Sequence, residues 1–247
     1  MAKVIGYFLT PFYLLSFGIT LVIFDVMQRL AWSLGGYTAQ QNAVYWLNGT
    51  LMRLIHILGG RISFDFSPAN LPTGKKLIFV ANHQSMNDIP PMIWHFRKYA
   101  PIFIAKKELE KGVPSISYNY KRRGVIAIDR KDGGQARAAI MALGERLKNE
   151  NISVCIFPEG TRARDGKLKP FQSGGIKTLL TQVPDAVLVP VVVANSWKMV
   201  QYGFWPIPAG IHLRFKVLEP LHVQGISADA ALETVRYRIE EQLEKYN

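Results

Sequence analysis

Residues 77–90, LIFVANHQSMNDIP, run from five apolar residues through a polar loop to a proline. The run LIFVA at 77–81 predicts a buried strand, because continuous apolar runs of this length are typical of strands covered on both faces. Pro90 and Pro91 predict the first turn of a helix, where the missing N–H of proline is tolerated. The stretch therefore predicts a strand, a loop and a helix in succession.

The same alternation continues along the chain. Short apolar runs predict further strands, at 101–105, 125–128, 152–157, 186–194 and 211–218. Helical patterns lie between them, at Ile89–Lys98, Gly134–Asn149 and Ser173–Gln182, and a last helix follows Ser227. Such alternation predicts an α/β fold with a mixed, largely parallel sheet flanked by helices. We expect residues 61–247 to form this domain.

The first sixty residues have a different character and predict a separate, membrane-associated segment, residues 1–60. Val4–Phe24 is 21 residues long and uncharged, and about 20 such residues are enough to cross a bilayer. A signal peptide fits less well, because only Lys3 precedes the run and no small-x-small cleavage site follows. Ala43–Leu58 has the pattern of an interfacial amphipathic helix. Together the two predict a helical hairpin on or in the bilayer.

The composition excludes a disordered chain and indicates anionic partners. Hydrophobic residues make up 49% of the sequence, too many for disorder. The chain has 30 Lys+Arg against 18 Asp+Glu, a net charge of +12. This excess favours nucleic acid, acidic lipid headgroups or acidic proteins, and the totals do not choose among them. The single cysteine, Cys155, lies in an apolar run and is interpreted as a core residue.

His83 and Asp88 form the first candidate for chemistry. Residues five apart on an ideal helix are turned by about 140°, so the two can meet only if His83 lies in the loop and Asp88 at the helix start. A carboxylate that accepts one ring N–H leaves the other ring nitrogen as a base. The spacing alone is weak evidence for catalysis, because Asp88 can simply cap the helix and His83 can be an inert loop residue. Ser85 is an alternative nucleophile without a third supporting feature.

Two arginines follow other predicted strands. Arg162 ends the stretch FPEGTR, and Arg130 ends GVIAIDR. Open α/β sheets bind ligands at the carboxyl ends of their strands, and arginine can grip a phosphate through two hydrogen bonds. The alternative for each is a solvated surface charge. The remaining histidines that we considered stand singly and suggest no metal cluster, namely His95, His212 and His222.

Four blocks in this order resemble the 1-acyl-glycerol-3-phosphate acyltransferases and related glycerolipid acyltransferases. The blocks are Asn82-His83 with Asp88, residues 124–130, residues 157–162 and residues 189–191. The resemblance implies that His83 is the general base and that Asp88 orients it. It also implies a substrate-binding group made of Lys106, Arg130, Glu159, Gly160, Thr161 and Arg162, with residues 189–191 helping to shape the acyl-donor side.

The resemblance implies a direct acyl transfer in phospholipid biosynthesis. The sn-2 hydroxyl of a lysophosphatidate would attack the thioester of acyl carrier protein or coenzyme A while His83 takes the proton. No acyl-enzyme, cofactor or metal is expected, and the thioester is a co-substrate. The expected location is the membrane, at the cytoplasmic face of the inner membrane, and the expected partners are lysophosphatidate, the thioester carrier and the anionic membrane surface.

Two alternatives remain open at this point. The same chemistry can serve another lyso-lipid, such as a lysophospholipid or a lyso-ornithine-type lipid, although a phosphate-free acceptor leaves Arg130 and Arg162 unexplained. A non-catalytic basic protein that binds acidic membrane or nucleic acid is less consistent. Its basic residues would form an aromatic-interleaved patch and would not lie at strand ends, and His83 and Asp88 would have no task. Nucleic acid is therefore not an expected partner.

Overall fold

An eight-stranded sheet lies between helices in the computed structural model, which describes residues 1–122, 124–129 and 132–246. The strands in these residues are β1 (Arg61–Asp65), β2 (Leu77–Ala81), β3 (Pro101–Lys106), β4 (Val125–Ile128), β5 (Ser153–Ile156), β6 (Val187–Ala194), β7 (His212–Val217) and β8 (Leu221–His222). The helices are α1 (Ala2–Arg53), α2 (Ile89–Phe96), α3 (Ile116–Lys121), α4 (Gly133–Asn149), α5 (Gly174–Gln182) and α6 (Ala228–Glu244).

The order of the strands places one set of loops together. Along the sheet the order is β1-β7-β6-β2-β5-β3-β4, and β8 pairs with β6. Strands β7 and β8 run antiparallel to β6, whereas the other neighbouring pairs are parallel. This confirms the predicted mixed, largely parallel sheet. The carboxyl ends of β2 to β6 therefore meet at one edge, where open α/β sheets bind their ligands.

Strand β2 separates the two hydrophobic cores. Ile78 and Val80 pack on one face against residues of α4, α5 and α6. Phe79 and Ala81 face the other side, where they pack with Phe96 of α2. Side chains alternate between the faces of a strand, so a strand covered on both faces must be apolar throughout. This is the physical reason for the continuous LIFVA run.

Pro190 lies inside β6, where proline would normally break the ladder. Its carbonyl accepts a hydrogen bond from the backbone of Leu218 at 2.9 Å. The N and C=O of one residue point to the same side of a strand, so the ring nitrogen of Pro190 also faces this side. Here β8 pairs with β6 only up to Leu188 and β7 begins its pairing at Val191. The missing N–H therefore falls in the gap between two partner strands.

All six predicted strands and the four predicted helices of residues 61–247 are confirmed, with ends that shift by at most two residues. Strands β1 and β8 and helix α3 were not predicted from the sequence. Strand β1, RISFD, is an edge strand whose residues alternate between exposed and half-buried, so it carries no continuous apolar run. Strand β8 has two residues and α3 has six, which is too short for a periodic pattern.

The N-terminal hairpin is confirmed, but its arms are longer than predicted. Helix α1 (Ala2–Arg53) consists of two helical arms. The chain reverses its direction between them at Gly35 and Gly36, where Gly36 adopts a φ of 62°. The side chain of Gln40 donates to that of Gln28 at 2.8 Å, so the two arms run side by side. The stretch between the predicted helices mixes polar with apolar residues. Gln28 and Gln40 within it are fully buried, and each satisfies its partner in the interface between the arms. A turn of 3-10 helix, Leu54–Leu58, follows.

Helix α1 packs on the edge of the sheet that carries the loops. Tyr13 donates to Asn87, in the turn before α2, at 3.2 Å, and Asp25 accepts from the backbone of Ser115 at 2.7 Å. Its outer face is apolar and exposed, with Phe8 72% exposed. By length and composition alone, the stretch formed by α1 and the turn after it contains a segment that is apolar enough to cross a membrane. The predicted domain division at residue 60 stays a prediction.

Candidate active site

The carboxyl edge of the sheet brings three loops to one place. His83 lies two residues beyond β2, and the stretch 157–162 follows β5, the neighbour of β2 on one side. Ser196 follows β6, the neighbour of β2 on the other side. Because parallel neighbours end at the same edge, residues more than 100 positions apart become neighbours in space. This arrangement decides which side chains contact His83.

His83 and Asp88 are in direct contact. The ring atom Nδ1 of His83 lies 2.7 Å from Oδ2 of Asp88. The same oxygen accepts the backbone N–H groups of Gln84 at 2.7 Å and of Ser85 at 3.0 Å. Asp88 is fully buried, so these donors replace the water that a carboxylate needs. Because the neighbours of the carboxylate are donors, Nδ1 of His83 carries the proton and Nε2 is left with a free lone pair.

Ser85 and Ser196 complete the surroundings of the Asp88 carboxylate. The Ser85 hydroxyl accepts a hydrogen bond from the backbone of Asn87 at 3.1 Å, as a cap of the short helical turn. Ser85 is fully buried, so its place is that of a structural cap and not that of a nucleophile. The Ser196 hydroxyl donates to Oδ1 of Asp88. Both carboxylate oxygens are therefore held, which fixes the carboxylate plane toward His83.

Glu159 joins the loop after β5 to the loop of His83. Its Oε1 accepts the backbone N–H of His83 at 2.7 Å, and its Oε2 accepts that of Lys169 at 3.1 Å. Burial raises the pKa of Glu159 to about 7, against the opposing effect of these two N–H donors. The backbone carbonyl of His83 in turn accepts from Ala163 at 2.7 Å. Glu159 thus joins the backbone of the His83 loop to the backbone of the segment at Lys169.

Asn82 fixes the start of the same loop on the opposite side. Its side-chain amide donates to the carbonyl of Val193 and accepts from the N–H of Val193, each at 2.8 Å. The amide therefore extends the pairing between β2 and β6 by one step beyond the last strand residue. His83 is held by β5 through Glu159 and by β6 through Asn82, so its backbone position is set from both neighbours.

A cleft of about 440 Å³ opens beside His83. The His83 ring stacks on Phe157 with ring centroids 4.1 Å apart, which leaves the edge of the imidazole toward the cleft. One part of the wall is apolar and includes Ile104, Ile128, Ile140 and Ile156. Another part is polar and includes Gly160, Thr161, Arg162 and Arg164. The cleft can therefore hold an apolar chain and an anionic group at the same time.

The structure brings together most of the residues singled out in the sequence. His83, Gly160, Thr161 and Arg162 line the cleft, and Asp88 lies behind His83. Glu159 is not among the cleft-lining residues in the described part of the chain, and its predicted contact with the acceptor stays a prediction. The described part of Lys106 is its backbone, which ends β3. Arg130 lies outside the described residues.

Gly160 has a backbone conformation that suits its place. Its φ is 66°, a left-handed value that side-chain-bearing residues rarely adopt, and a Cβ there would meet open space. The glycine is therefore required by the turn and not by crowding. Thr161 and Arg162, which follow this turn, line the cleft. Among the described residues, the Arg162 guanidinium has no ion-pair or hydrogen-bond partner, so it is available for an anion.

Ser196 and Gln84 were missed by the sequence analysis. The Gln84 side-chain oxygen accepts the backbone N–H of Ser196 at 3.1 Å, which fixes Ser196 next to Asp88. One signal could have pointed to Ser196: it is a polar residue directly after a long buried strand, as His83 is. Its partner could not be read from the sequence, because the neighbour of β6 in the sheet was not known.

The described residues contain no group of three or more His, Cys, Asp or Glu side chains that could hold a metal ion. Cys155 is fully buried in β5, and burial raises the pKa of its thiol. A buried thiol held in its neutral form is a poor nucleophile. The groups that remain for chemistry are an oriented imidazole with a free Nε2 and the Arg162 guanidinium in the same cleft. This arrangement can deprotonate a hydroxyl whose molecule also carries an anionic group.

Comparison with known proteins gives one family match. Residues 65–194 match the family model described as Acyltransferase. This segment contains β2 to β6 and all residues that line the cleft, whereas Ser196 lies just beyond it.

Curated relatives with the name 1-acyl-sn-glycerol-3-phosphate acyltransferase occur in plants, bacteria and animals. The Limnanthes douglasii protein is 27% identical over 183 residues, covering 70% of this chain and 62% of the relative. The Haemophilus influenzae protein is 26% identical, covering 66% of this chain and 65% of the relative. A human protein with the suffix beta is 35% identical, covering 65% and 56%. The aligned part is thus less than two thirds of each relative.

A solved structure shares the fold over the whole chain. The crystal structure of the 1-acyl-sn-glycerophosphate acyltransferase PlsC from Thermotoga maritima has a TM-score of 0.81. The alignment covers 100% of this chain and 98% of that chain, at 22% sequence identity. The similarity extends over α1 as well as the sheet, so the N-terminal hairpin is part of the shared fold.

Proposed function

The chain belongs to the Acyltransferase family, and we propose that it transfers an acyl group from a thioester to the sn-2 hydroxyl of 1-acyl-glycerol-3-phosphate, giving phosphatidic acid. The observation that carries the proposal is the contact of 2.7 Å between His83 Nδ1 and Asp88 Oδ2 at the wall of the cleft. The names of the curated relatives support the choice of acceptor.

The proposed role of His83 is that of a general base. Its Nε2 accepts the proton of the acceptor hydroxyl while the oxygen forms a bond to the thioester carbonyl carbon. Asp88 holds the ring in the tautomer that leaves Nε2 free and stabilises the imidazolium that forms. Proton transfer of this kind contributes about 10²–10⁴-fold to a rate.

The second half of the reaction returns the proton. The tetrahedral intermediate collapses, the carbon–sulfur bond breaks, and the thiolate leaves with the electron pair. The imidazolium of His83 gives its proton to the thiolate, so the enzyme ends in its initial state. The acyl group passes directly between the substrates, which agrees with the structural place of Ser85 and the buried, neutral Cys155.

The proposed phosphate site is formed by the polar residues that line the cleft. Arg162 is one of them, and its guanidinium is free among the described residues. A planar guanidinium grips two phosphate oxygens at once, which suits the phosphate of a lysophosphatidate. Lys106 and Arg130 are proposed to contact the same phosphate, although the structure describes neither side chain. A lyso-lipid without a phosphate leaves Arg162 without a partner and is the second candidate only for that reason.

The proposed donor is an acyl thioester of acyl carrier protein or coenzyme A, and no cofactor takes part. The net charge of +12 attracts both donors, since each is anionic. The four isoleucines of the cleft provide an apolar wall for an acyl chain. The net charge does not distinguish the two donors. A direct comparison of their kcat/KM values would show which of them the protein uses.

The proposed membrane association of α1 brings the lipid acceptor close to the protein. The N-terminal arm packs on the catalytic part at Tyr13 and again at Asp25. A helix that is docked at both places cannot leave its neighbours to cross a bilayer, so we infer that it lies along one surface with its apolar outer face in the lipid. The cytoplasmic face of the inner membrane is the proposed location, because the thioester donors are cytoplasmic.

One assay tests this function. The purified full chain is given a labelled acyl thioester together with a panel of acceptors: lysophosphatidate, lysophosphatidylcholine, lysophosphatidylethanolamine and a lyso-ornithine lipid. We expect labelled phosphatidic acid to be the main product, with kcat/KM for lysophosphatidate well above that for the others. A preference for any of the other three acceptors would contradict the assignment of the acceptor. If neither donor gives transfer to any of the four acceptors, the catalytic function is contradicted.

A further inference from the structure

An aromatic loop, residues 202–205, exposes three large side chains beside the start of α1. Tyr202 is 47% exposed, Phe204 63% and Trp205 48%. Beyond residue 53, six large hydrophobic side chains are exposed among the described residues, and these three are half of them. Apolar side chains scattered singly over a surface need no explanation, whereas a contiguous group marks an interaction site. The aromatic loop is such a group.

The aromatic loop is fixed to α1 by the residues that follow it. The backbone N–H of Ile207 donates to the Thr10 hydroxyl at 2.9 Å, and Ala209 donates to the carbonyl of Ala2 at 3.1 Å. Thr10 is fully buried on the face of α1 that is turned toward the catalytic part. The aromatic loop therefore lies beside the helix, at a set distance from it, and moves together with it.

The chemistry of the aromatic loop is that of a lipid–water boundary. Trp and Tyr are enriched where membranes meet water, because their rings are apolar and their polar atoms stay hydrated. Lys3 lies over the Tyr202 ring with its ammonium 4.5 Å from the centroid, so a cation that can contact lipid phosphate accompanies the rings. The neighbouring outer face of α1 is apolar and exposed, for example at Val4 and Phe8. The aromatic loop thus continues a surface that is already suited to lipid.

We propose that the aromatic loop is a second membrane contact, which inserts into the headgroup region of a phospholipid bilayer beside α1. The proposal rests on the membrane association of α1 proposed above. A second copy of the chain fits less well, because the loop is small and continuous with an apolar helix face that is itself turned to lipid. Its consequence is orientation. If only the N-terminal arm of α1 lies in the membrane, the protein can rotate about the axis of that arm. A second contact beside the arm prevents this rotation and fixes the orientation of the cleft relative to the lipid surface.

The single cysteine makes a site-specific test possible. Cys155 is fully buried, so a cysteine placed at the surface is the one that reacts with a thiol-specific fluorophore. We choose Phe204→Cys to report on the aromatic loop, Phe12→Cys, 63% exposed, to report on α1, and Tyr237→Cys, 63% exposed on α6, as the matched aromatic control. The unsubstituted chain controls for any labelling of Cys155.

Each labelled protein is reconstituted with vesicles of phosphatidylcholine and phosphatidylglycerol, with or without bromine on the acyl chains. We expect a blue-shifted emission and quenching by brominated lipid at positions 12 and 204, and neither effect at position 237. Binding of the vesicles by α1 alone would give the response at position 12 and none at 204, which overturns the proposal and leaves membrane association intact.

Two further outcomes overturn the proposal in ways that can be told apart. If no position responds and the protein does not float with vesicles, the membrane association under the proposed function fails, and the loop proposal fails with it. If the label at position 204 is quenched by other labelled copies as the protein-to-lipid ratio rises, and is not quenched by bromine, the aromatic loop is an interface between copies of this chain.

Discussion

The Ser196 hydroxyl donates a hydrogen bond to Oδ1 of Asp88, the carboxylate whose Oδ2 lies 2.7 Å from Nδ1 of His83. Ser196 follows β6 and Asp88 precedes α2, so the bond joins two loops that are 108 residues apart. A carboxylate that is held at one oxygen can rotate, whereas one held at both cannot. Ser196 is therefore a positioning residue for the proposed base.

We expect Ser196→Ala to lower kcat roughly tenfold, because a hydrogen bond to a charged group contributes about 1.5–3 kcal/mol. The KM for lysophosphatidate and the KM for the acyl thioester should change little. Ser153→Ala is the control: this serine is buried in β5, and its hydroxyl has no hydrogen-bond partner among the described residues. Unchanged kinetics in Ser196→Ala would reduce Ser196 to a packing residue.

His83→Ala should lower kcat by about 10²–10⁴-fold while the protein stays folded. Asp88→Asn should also lose activity, because an amide can donate to Nδ1 and so favours the tautomer with the proton on Nε2. Steady-state kinetics with circular dichroism as a fold check measure both. His222→Ala, an exposed histidine of β8, is the matched control and should retain wild-type rates. Near-normal turnover in a folded His83→Ala protein would sink the mechanism.

Arg162→Ala should reduce kcat/KM for lysophosphatidate more than Arg162→Lys does, since lysine offers a point charge in place of a planar fork. The attraction between unit charges about 4 Å apart is about 4 kcal/mol at an effective dielectric near 20, which is enough to set the choice of acceptor. Acceptor kinetics at saturating thioester measure the effect, with Arg238→Ala on α6 as the control. A loss confined to the KM of the thioester would place Arg162 in the donor site.

Gly6→Ala should weaken the docking of α1. A Cβ at Gly6 would lie 2.2 Å from the carbonyl oxygen of Ile207, whereas a Cβ at Gly18 of the same helix would meet nothing within 4 Å. Overpacking against backbone costs about 1–3 kcal/mol, while Gly→Ala at an open helical position gains about 0.5–1 kcal/mol. Thermal unfolding in mild detergent should therefore give opposite shifts for the two variants. Equal shifts would mean that the close approach at Gly6 relaxes without cost.

The stability of the protein should fall as the pH rises from about 4.5 to about 7 through the ionisation of Glu159. Burial raises the pKa of this carboxyl from 4.5 to about 7, so the folded protein holds the proton more tightly than the unfolded chain does. The contribution is fully present below pH 4.5 and lost above pH 7, a difference of about 3 kcal/mol at 1.36 kcal/mol per unit. Urea unfolding across this range measures it.

Glu159→Gln is the comparison for the pH dependence. The amide does not titrate, so this variant should show a shallower fall in unfolding free energy over the same range. It should also be less stable at every pH, because one of the backbone N–H groups of His83 and Lys169 would face the amide NH₂. Identical slopes in both proteins would assign the pH dependence to another group.

Local sequence patterns are sufficient for the elements that are buried on both faces. The run LIFVA predicts β2 with its observed ends, because both of its faces must be apolar. Elements that are buried on one side only, such as β1, or that have few residues, such as α3, escaped the same reasoning. The polar residues around Gln28 and Gln40 concealed the true length of the hairpin arms, since their pairing is visible only once the arms lie side by side.

The sequence by itself determined the α/β fold and the apolar N-terminal segment, and it offered His83 and Asp88 as a candidate pair, because each depends on residues that are close along the chain. The tertiary structure alone decided that Ser196 and Glu159 hold this pair. Strand order places β5 and β6 on either side of β2, and the polar residues after these strands therefore contact the His83 loop. Strand order depends on how long-range crossovers pack, and no local pattern of side chains encodes which strands become neighbours.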